Sequence, residues 1–359
     1  MNILWLSWRD IKNPQSGGAE KVAIEVAKRF VLDGSKITIF TSNFEKSKPK
    51  EKIDGVNIIR KGNQLTCRFF AFLYYRKNPN FDVVIDEINT IPFFTNFYVK
   101  ERKVVLIHQL AKEYWWSEIL FPLNLLGYIL EPFYLKSYRN LTTIACSNST
   151  KKDLLRLGFT NITLYHHGLF AKPLTKLPPK NTSDIIYIGR LTKPKGPQDA
   201  INAFNVIHQK MPGSRLKIAG LGKPKFVQYL KSKIKKYNLE DFVEILGFIS
   251  QKEKINLLIN SKIVLVPSIR EGWNMVPIEA NAFGTIPIGY NVPGLCDSIQ
   301  NGKTGLLTKP NPQHLATTTI NLLSNPNLQK KLSVNGLLWA KQFNFEKTYQ
   351  SFKKVIESN

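Results

Sequence analysis

The segment from Glu271 to Ala280, which reads EGWNMVPIEA, is the most informative part of this sequence. An apolar run of strand length, Ile263–Val266, lies just before it, and Pro277–Phe283 has the composition of a helix with proline in its first turn. The segment therefore predicts a strand, a turn and a helix N-terminus. At such an N-terminus, backbone N–H groups have no partner within the helix and can bind a phosphate or a hydroxyl.

Two carboxylates and a row of backbone donors surround this predicted turn. Glu271 and Glu279, when ionised, can accept hydrogen bonds from sugar hydroxyls. The backbone donors are the N–H groups of Gly272, Trp273, Asn274, Met275 and Val276. We interpret the segment as a site for a polyol ligand that carries phosphate. The spacing of the two glutamates alone is also typical of a solvent-exposed helix face, so the interpretation depends on the flanking sequence.

Size and composition indicate a folded protein of two domains. The chain has 359 residues, of which 43% are hydrophobic and 21% charged. Its cysteines, Cys67, Cys146 and Cys296, are few and unpatterned, which argues against a disulfide framework or a zinc cluster. The cysteine usage favours a reducing cytoplasm.

The formal net charge of +25 attracts polyanions and anionic membrane surfaces. The basic run Lys231–Lys236 is typical of a solvated helix face, and no nucleic-acid-binding motif accompanies it. We therefore expect no nucleic-acid partner.

Strand-length apolar runs alternate with helix-length segments in two series, which predicts two parallel sheets. The first series is Ile3–Leu6, Lys36–Thr41, Val56–Arg60, Val83–Asp86, Val104–Ile107 and Thr143–Cys146. The second is Ile185–Ile188, Leu216–Ala219, Val243–Leu246, Ile263–Val266 and Ile286–Ile288. Between the two series, the proline-rich residues 171–183 are predicted to be an interdomain linker.

Two segments are rich in large apolar side chains, although neither is apolar over a length that spans a bilayer. Residues 119–135 are interrupted by two prolines and a glutamate, and a buried helix is the first interpretation. The alternative is contact with a membrane surface, which the aromatic and basic segment Phe69–Lys77 would assist.

The block around Glu271 resembles the E-x7-E signature of glycosyltransferase family 4, the retaining glycosyl transferases group 1. The resemblance continues through EANAFGTIPI (residues 279–288), VPGL (292–295) and NGKTGLL (301–307). It implies a GT-B fold, an α/β architecture of two Rossmann-like domains that face each other across a cleft. The N-terminal acceptor domain would be residues 1–170, the nucleotide-sugar domain residues 184–343, and the helix at 344–358 would pack back on the N-terminal domain.

Two further loops contain the residues of a phosphate or sugar site. Arg190 and Lys195 follow the first strand of the second domain, where their charges suit a pyrophosphate. The segment GRLTKPKG resembles the family's G-R-L-x-x-x-K-G motif. Gly17 and Gly18 lie between the first strand and the helix predicted at Lys21–Leu32, and they permit close approach of a ligand. The resemblance implies that this loop contacts the reacting sugar and the acceptor.

The resemblance also supplies roles for individual side chains. Glu271 would orient the donor hexose and Glu279 the ribose, while Phe248 would contact the nucleobase. His108, at the end of a predicted strand, would lie near the donor sugar as a catalytic residue with its ring directed at the cleft. One residue departs from the family, because Asn274 stands where glycine is usual. We expect it to occupy the left-handed backbone region, with its side chain in the space near the sugar.

Together these residues predict a metal-independent retaining transferase that moves a hexose from a nucleoside diphosphate sugar to a hydroxyl acceptor. The nucleoside diphosphate sugar is a co-substrate, and no cofactor or metal is implied. The expected acceptor is a lipid-linked or surface glycan precursor, handled in the cytoplasm or at the cytoplasmic face of an anionic membrane. The alternatives are a nucleotide-sugar epimerase of the same fold and a non-catalytic polyanion-binding protein.

Overall fold

The computed structural model describes residues 1–118, 120–180 and 184–358. The chain divides into two compact units. The first comprises Met1–Trp115, Leu120–Gly168 and Asn344–Asn359, and the second comprises Trp116–Ile119 and Leu169–Phe343. Gly17, Gly18 and His108 therefore belong to the first unit, and the other predicted site residues belong to the second.

The chain up to residue 168 alternates strands and helices. In order, the elements are β1 (Asn2–Leu6), α1 (Gly18–Leu32), β2 (Lys36–Thr41), β3 (Lys50–Ile53), β4 (Val56–Arg60), α2 (Cys67–Lys77), β5 (Val83–Ile88), α3 (Thr95–Tyr98), β6 (Arg102–Ile107), α4 (Glu113–Glu118), α5 (Leu123–Lys136), β7 (Thr142–Ala145), α6 (Asn148–Arg156) and β8 (Ile162–Leu164). The strands form one sheet in the order β3-β4-β2-β1-β5-β6-β7-β8.

This first sheet is parallel except at one edge, where β3 pairs antiparallel with β4. Strand β3 is not among the strands predicted from the sequence, so this antiparallel edge adds to the predicted parallel sheet. The connection is a two-residue turn, Asp54-Gly55, in which both residues have positive φ, at 48° and 84°. A turn with two positive φ angles matches the twist of a hairpin, so the chain reverses directly instead of crossing over through a helix.

The second unit repeats the alternation. Its elements are β9 (Asp184–Ile188), α7 (Pro197–Lys210), β10 (Arg215–Ala219), α8 (Pro224–Lys236), β11 (Val243–Gly247), α9 (Gln251–Asn260), β12 (Ile263–Val266), α10 (Met275–Ala282), β13 (Ile286–Tyr290), α11 (Leu295–Ser298), β14 (Leu306–Thr308), α12 (Pro312–Leu323) and α13 (Pro326–Ala340). The strands run parallel in the order β11-β10-β9-β12-β13-β14. The loops that follow β9, β11 and β12, together with helix α10, contain the predicted site residues of this unit.

The last helix, α14 (Phe345–Glu357), is part of the first unit. Its buried aromatic side chains pack on the sheet and on α1: Phe352 stacks on Trp5 with ring centroids 5.8 Å apart, and Tyr349 meets Phe30 edge-on at 4.8 Å. Arg102 donates to the Val355 carbonyl at 2.6 Å. Helix α14 therefore completes the core of the first unit although it lies at the other end of the sequence.

Helix α5 does not bear out the interpretation of residues 119–135 as a buried helix. Ile119 lies outside the described residues, but the exposed fraction is 52% for Leu126, 50% for Ile129 and 66% for Phe133. The buried members of the helix are Asn124, Glu131 and Leu135. Within the described ranges, no helix has the length and apolar character needed to cross a membrane.

The segment predicted to be a linker packs on the second unit in its described part, whereas residues 181–183 lie outside the described residues. The Leu174 N–H donates to the Ala282 carbonyl at 3.0 Å. The buried ammonium of Lys180 donates to the Ser261 carbonyl at 2.6 Å and to the Thr285 hydroxyl at 2.7 Å. Burial lowers the pKa of Lys180 to about 7. Residues 174–180 are therefore part of the unit's packing.

Candidate functional site

The N-terminus of α10 is built around Asn274. This residue is the helix cap, and its Oδ1 accepts a hydrogen bond from the Val276 N–H at 2.9 Å. Asparagine is among the preferred residues at a helix cap because its side chain supplies the missing acceptor. Its φ is −89°, so the expected left-handed conformation was wrong. Since the Val276 N–H already donates to the cap, it is not among the donors that this end of the helix offers to a ligand.

Glu271 is buried, and its carboxylate receives two other side chains. The Lys195 ammonium lies 2.7 Å from each carboxylate oxygen, and the Asn274 amide donates to Oε1 at 2.9 Å. A carboxylate has about four acceptor positions. Within the part of the chain that the structure describes, these contacts occupy all but one of them, and the remaining position is on Oε2. The cluster can therefore hold the carboxylate in place while it accepts one further hydrogen bond.

The loop that carries Lys195 is fixed by close backbone packing. Gly196 has φ +72°, and a Cβ there would lie 2.1 Å from the Pro267 carbonyl oxygen. The Ile269 N–H donates to the Pro194 carbonyl at 2.9 Å, which ties this loop to the segment after β12. The Tyr187 hydroxyl donates to the Lys195 carbonyl at 3.2 Å. Only glycine fits position 196, and the position of Lys195 depends on it.

The segment that carries Glu271 is held from its other side by residues 293 and 294. The Glu271 N–H donates to the Pro293 carbonyl at 3.0 Å. Gly294 has φ +81°, and a Cβ there would lie 2.1 Å from the Glu271 carbonyl oxygen. The VPGL segment noted in the sequence therefore acts as a backbone support for Glu271.

Glu279 forms a second ion pair on the same helix. Its Oε1 lies 2.6 Å from the ammonium of Lys254, a residue of α9. Both side chains are largely buried, with exposed fractions of 11% for Glu279 and 15% for Lys254. Sequence reasoning missed Lys254 because no motif surrounds it and because α9 is a separate element of the chain. Helix α10 thus has one lysine–glutamate pair just before its N-terminus and another within it.

The remaining predicted residues of the second unit lie at or near this site's strand ends. Arg190 follows β9 and is exposed, Phe248 follows β11 with 74% of its surface exposed, and Gly272 is buried. Met275 is half-buried in the first turn of α10. The structure therefore brings Lys195, Glu271 and Asn274 into contact, and it leaves Arg190 and Phe248 at the surface.

In the first unit, the Gly17–Gly18 turn begins α1. Gly17 is the helix cap, and its N–H donates to Glu20 Oε2 at 2.6 Å. The buried Glu20 also forms an ion pair with Arg9 at 2.8 Å. The Glu20 carboxylate thus holds the backbone of the turn, which is a structural role that the glycine pattern alone does not indicate.

His108 lies just after β6 in a buried network, not in an open position. Its Nε2 is 2.9 Å from Glu87 Oε1, and its Nδ1 is 3.2 Å from the Tyr165 hydroxyl. The other Glu87 oxygen accepts from the Trp5 indole at 2.7 Å. Burial alone would lower the pKa of His108, but the contacts with Cys146 and the Glu87 carboxylate outweigh it and raise the pKa to about 10.

The charge of His108 has a consequence for its predicted role. An imidazole with a pKa of about 10 stays protonated at neutral pH, so it cannot act there as a general base. Both ring nitrogens already have partners inside the first unit. The pKa of the nearby His167 is lowered to about 3, mainly by burial and to a smaller extent by the charge of His108. The catalytic role of His108 stays a prediction, and the structure adds Glu87 and Tyr165, which sequence reasoning missed.

The geometry of the second unit coincides with a family match. The family described as "Glycosyl transferases group 1" matches residues 174–339, the span that contains Lys195, Glu271 and Glu279. This part of the chain therefore resembles the glycosyl transferases of group 1. Among the described residues, no three His, Cys, Asp or Glu side chains lie together as a potential metal site. Metal-independent chemistry stays a prediction.

Two known proteins resemble the chain, one over about half of its length and the other over nearly all of it. A glycogen synthase of Mycobacterium tuberculosis is 29% identical over 190 residues, which cover 51% of this chain and 45% of that protein. The chain thus spans about half the length of this relative. An uncharacterised glycosyltransferase of Haemophilus influenzae is 26% identical over 95% of this chain and 96% of its own length.

The fold is shared with solved structures. Anabaena HepE in complex with UDP-glucose superposes with a TM-score of 0.77 at 18% sequence identity, over the full length of both chains. The fold of the chain is the GT-B fold, with the two predicted Rossmann-like units.

Proposed function

We propose that this chain is a retaining glycosyltransferase that moves a hexose from a nucleoside diphosphate sugar to a hydroxyl acceptor. The observation that carries the proposal is the buried cluster of Lys195, Glu271 and Asn274 at the N-terminus of α10. It combines a cation, a carboxylate with a remaining acceptor position and the positive end of a helix. A phosphorylated sugar presents the matching groups.

The cations have the electrostatic task. When the bond between the anomeric carbon and the diphosphate oxygen breaks, its electron pair leaves with the diphosphate and negative charge accumulates there. Lys195 and Arg190 stabilise that charge, because cations held in place act most strongly where charge develops in the transition state. The acceptor oxygen forms the new bond on the same face of the sugar. Its proton passes to the leaving phosphate, so no protein base is required.

The two glutamates have separate tasks. Glu271 accepts a hydrogen bond from a hexose hydroxyl through its remaining Oε2 position, while Lys195 and Asn274 hold the carboxylate in place. Glu279 accepts from the ribose hydroxyls. Its partner Lys254 fixes it against α9 and is a positioning residue for the nucleoside. In this proposal the exposed Phe248 covers the nucleobase.

UDP-glucose is the first donor to test, since HepE, which shares the fold, was solved with it. For the acceptor we propose a lipid-linked or surface glycan precursor, which agrees with the net charge of +25 because the lipid carriers of such glycans are anionic.

The first experiment measures thermal unfolding with UDP, GDP, ADP and their hexose conjugates. A ligand at 100 times its Kd adds about 2.7 kcal/mol to the free energy of unfolding. We expect one nucleotide family to stabilise the protein, Lys195→Ala to abolish the effect, and Lys193→Ala, an exposed lysine of the same loop, to retain it. Binding that Lys195→Ala leaves unchanged would overturn the assignment of the site.

The retaining mechanism has its own test. NMR of the first product formed from an α-linked donor should show an α linkage in the product. A β-linked product would mean inversion, which requires a protein base and would contradict the reaction proposed here.

A further inference from the structure

Helix α5 presents its apolar side to the surroundings. Leu126, Ile129, Leu130 and Phe133 follow the spacing i, i+3, i+4, i+7, which places them on one face of the helix. Their exposed fractions are 52%, 50%, 46% and 66%. In a helix of a globular protein such a stripe normally faces the core. Here it faces outward, so core packing does not account for it.

The orientation is fixed by the polar side of the helix, which faces inward. The buried carboxylate of Glu131 accepts hydrogen bonds from the Ala111 and Lys112 N–H groups and from the Trp115 indole. Rotating the helix to bury its apolar stripe would expose these backbone donors and break three hydrogen bonds to a charged group. The outward stripe is therefore a built feature of the first unit.

The stripe continues into the residues before the helix. Leu120 is 86% exposed and Phe121 is 77% exposed. We name the α5 surface as Leu120, Phe121, Leu126, Ile129, Leu130 and Phe133. A cluster of exposed large apolar side chains of this kind marks a surface that contacts another apolar phase.

The exposed charges at the C-terminal end of helix α5 are positive. Between Leu120 and Arg139 the sequence has one acidic residue, Glu131, which is buried on the inner side. Lys136 and Arg139, at the C-terminal end of the helix, are exposed. The chain as a whole has a net charge of +25, so a second copy of the chain would be repelled. An apolar stripe with a basic margin matches an anionic lipid surface.

We propose that the α5 surface docks the protein on an anionic phospholipid membrane, with the helix lying in the interface. Exposed side chains such as Ile129 and Phe133 would enter the acyl region, while Lys136 and Arg139 contact headgroups. Docking would give the proposed transferase access to a lipid-carried acceptor. Only this purpose rests on the proposed function, whereas the docking itself does not. It is measured without sugar transfer, so the two proposals can fail independently.

The test is sedimentation of the full chain with vesicles of phosphatidylcholine alone or with 30% phosphatidylglycerol. The variant Ile129→Ser/Phe133→Ser removes the centre of the stripe. Its control, Leu32→Ser/Leu155→Ser, removes two exposed leucines on α1 and α6, which are 76% and 50% exposed. We expect the stripe variant to bind anionic vesicles at least about tenfold more weakly, because two apolar side chains no longer leave water. The control should bind like the wild type.

A second measurement reports how deeply helix α5 enters the membrane, and it does not depend on the stability of the stripe variant. Ile129→Cys in a Cys296→Ser background is labelled with an environment-sensitive fluorophore, since Cys67 and Cys146 are buried and Cys296 is exposed. We expect a blue shift on adding anionic vesicles, and none from a label at Leu32→Cys. Equal binding by both double variants, no binding at all, or a dimer that the stripe variant abolishes would each overturn the proposal.

Discussion

The two units each contain a buried carboxylate paired with a nitrogen cation, and the pairs differ in what surrounds them. In the second unit, Glu271 meets Lys195 at a helix N-terminus, and the Lys195 side chain keeps 19% of its surface exposed. In the first unit, Glu87 meets His108 inside the core, with Glu87 only 1% exposed and contacted also by Trp5. One pair lies where a ligand can reach it, whereas the other is enclosed by its own unit.

A buried ion pair therefore does not by itself identify a ligand site. A pair with remaining acceptor capacity can exchange one partner for a ligand. A pair whose atoms all have protein partners contributes mainly to the order of its core, and removing one partner leaves an unpaired buried charge. We therefore expect changes in the second unit to affect binding and turnover, and changes in the first unit to affect stability and its pH dependence.

The largest effect is expected for Glu271→Gln. The amide keeps the shape of the side chain but loses the charge that orients Lys195 and the sugar. We expect kcat/KM for sugar transfer to fall about 10²- to 10³-fold, the range seen when one group that stabilises the transition state is removed. The free energy of unfolding should fall less than it does on breaking the enclosed pair of the first unit, because the Lys195 side chain keeps 19% of its surface exposed to water.

The matched control is Glu240→Gln, an exposed glutamate of the same unit, which should leave both quantities unchanged. Wild-type turnover by Glu271→Gln would remove the distinction between the two pairs and the proposed role of Glu271 with it.

The opposite pattern is expected for Glu87→Gln. This change removes a carboxylate that stabilises the proton on His108, and breaking a buried pair in this way costs about 3–5 kcal/mol. Denaturant unfolding followed by tryptophan fluorescence measures the loss, and Trp5 reports it locally because it contacts Glu87. Stabilisation by the bound nucleotide should persist. An unchanged free energy of unfolding together with lost turnover would instead move Glu87 and His108 into the chemistry.

The sequence predicted the strands that read as apolar runs, and it missed β3, β8 and β14. Strand β3 reads KEKI and lies at a sheet edge, where charged residues are common. Strands β8 and β14 have only three residues each. Helix α5 was interpreted wrongly because apolar composition does not say whether a face meets a core or another apolar phase. Its direction is set by three hydrogen bonds to Glu131 from distant backbone and side-chain donors.

For the candidate site, motif spacing named Glu271 and Lys195 separately but could not predict their contact, because the two are 76 positions apart in the chain. Lys254 has no motif around it, and only the packing of α9 brings it to Glu279. The left-handed conformation expected for Asn274 was wrong for a local reason. An asparagine that caps a helix adopts extended backbone angles, and here the cap hydrogen bond determined the conformation.

The pH dependence of the free energy of unfolding gives a further test of the enclosed pair of Glu87 and His108. The pKa of His108 is about 10 in the folded state and about 6.5 when unfolded. Above about pH 6.5 the folded state therefore binds more protons than the unfolded state. The stability from His108 is complete below that pH and is lost as pH rises towards 10. We expect unfolding experiments to show a loss of about 2 kcal/mol between pH 7 and 9 that His108→Gln lacks.

Two titratable groups next to His108, His167 and Tyr165, do not cancel this loss of stability between pH 7 and 9. His167, with a folded pKa of about 3, is neutral throughout the window, and burial holds the pKa of the Tyr165 hydroxyl well above its usual value. Equal slopes for the wild type and His108→Gln would mean that His108 is not charged at neutral pH. The enclosed pair would then be an ordinary hydrogen bond, and the contrast with Lys195 and Glu271 would weaken.

The smallest effect is expected at Asn274, where one side chain makes two contacts that can be tested separately. Its Oδ1 caps α10 and its Nδ2 donates to Glu271, so two substitutions separate the two contacts. Asn274→Ala removes both and should cost about 1 kcal/mol of stability, the usual cost of a lost cap. Asn274→Asp keeps an acceptor for Val276 but replaces the donor with a charge that repels Glu271. We therefore expect the aspartate variant to match the wild type in denaturant unfolding more closely than the alanine variant does, yet to bind the nucleotide sugar more weakly. If both variants lose only stability, Asn274 is a helix cap whose contact with Glu271 has no part in ligand binding.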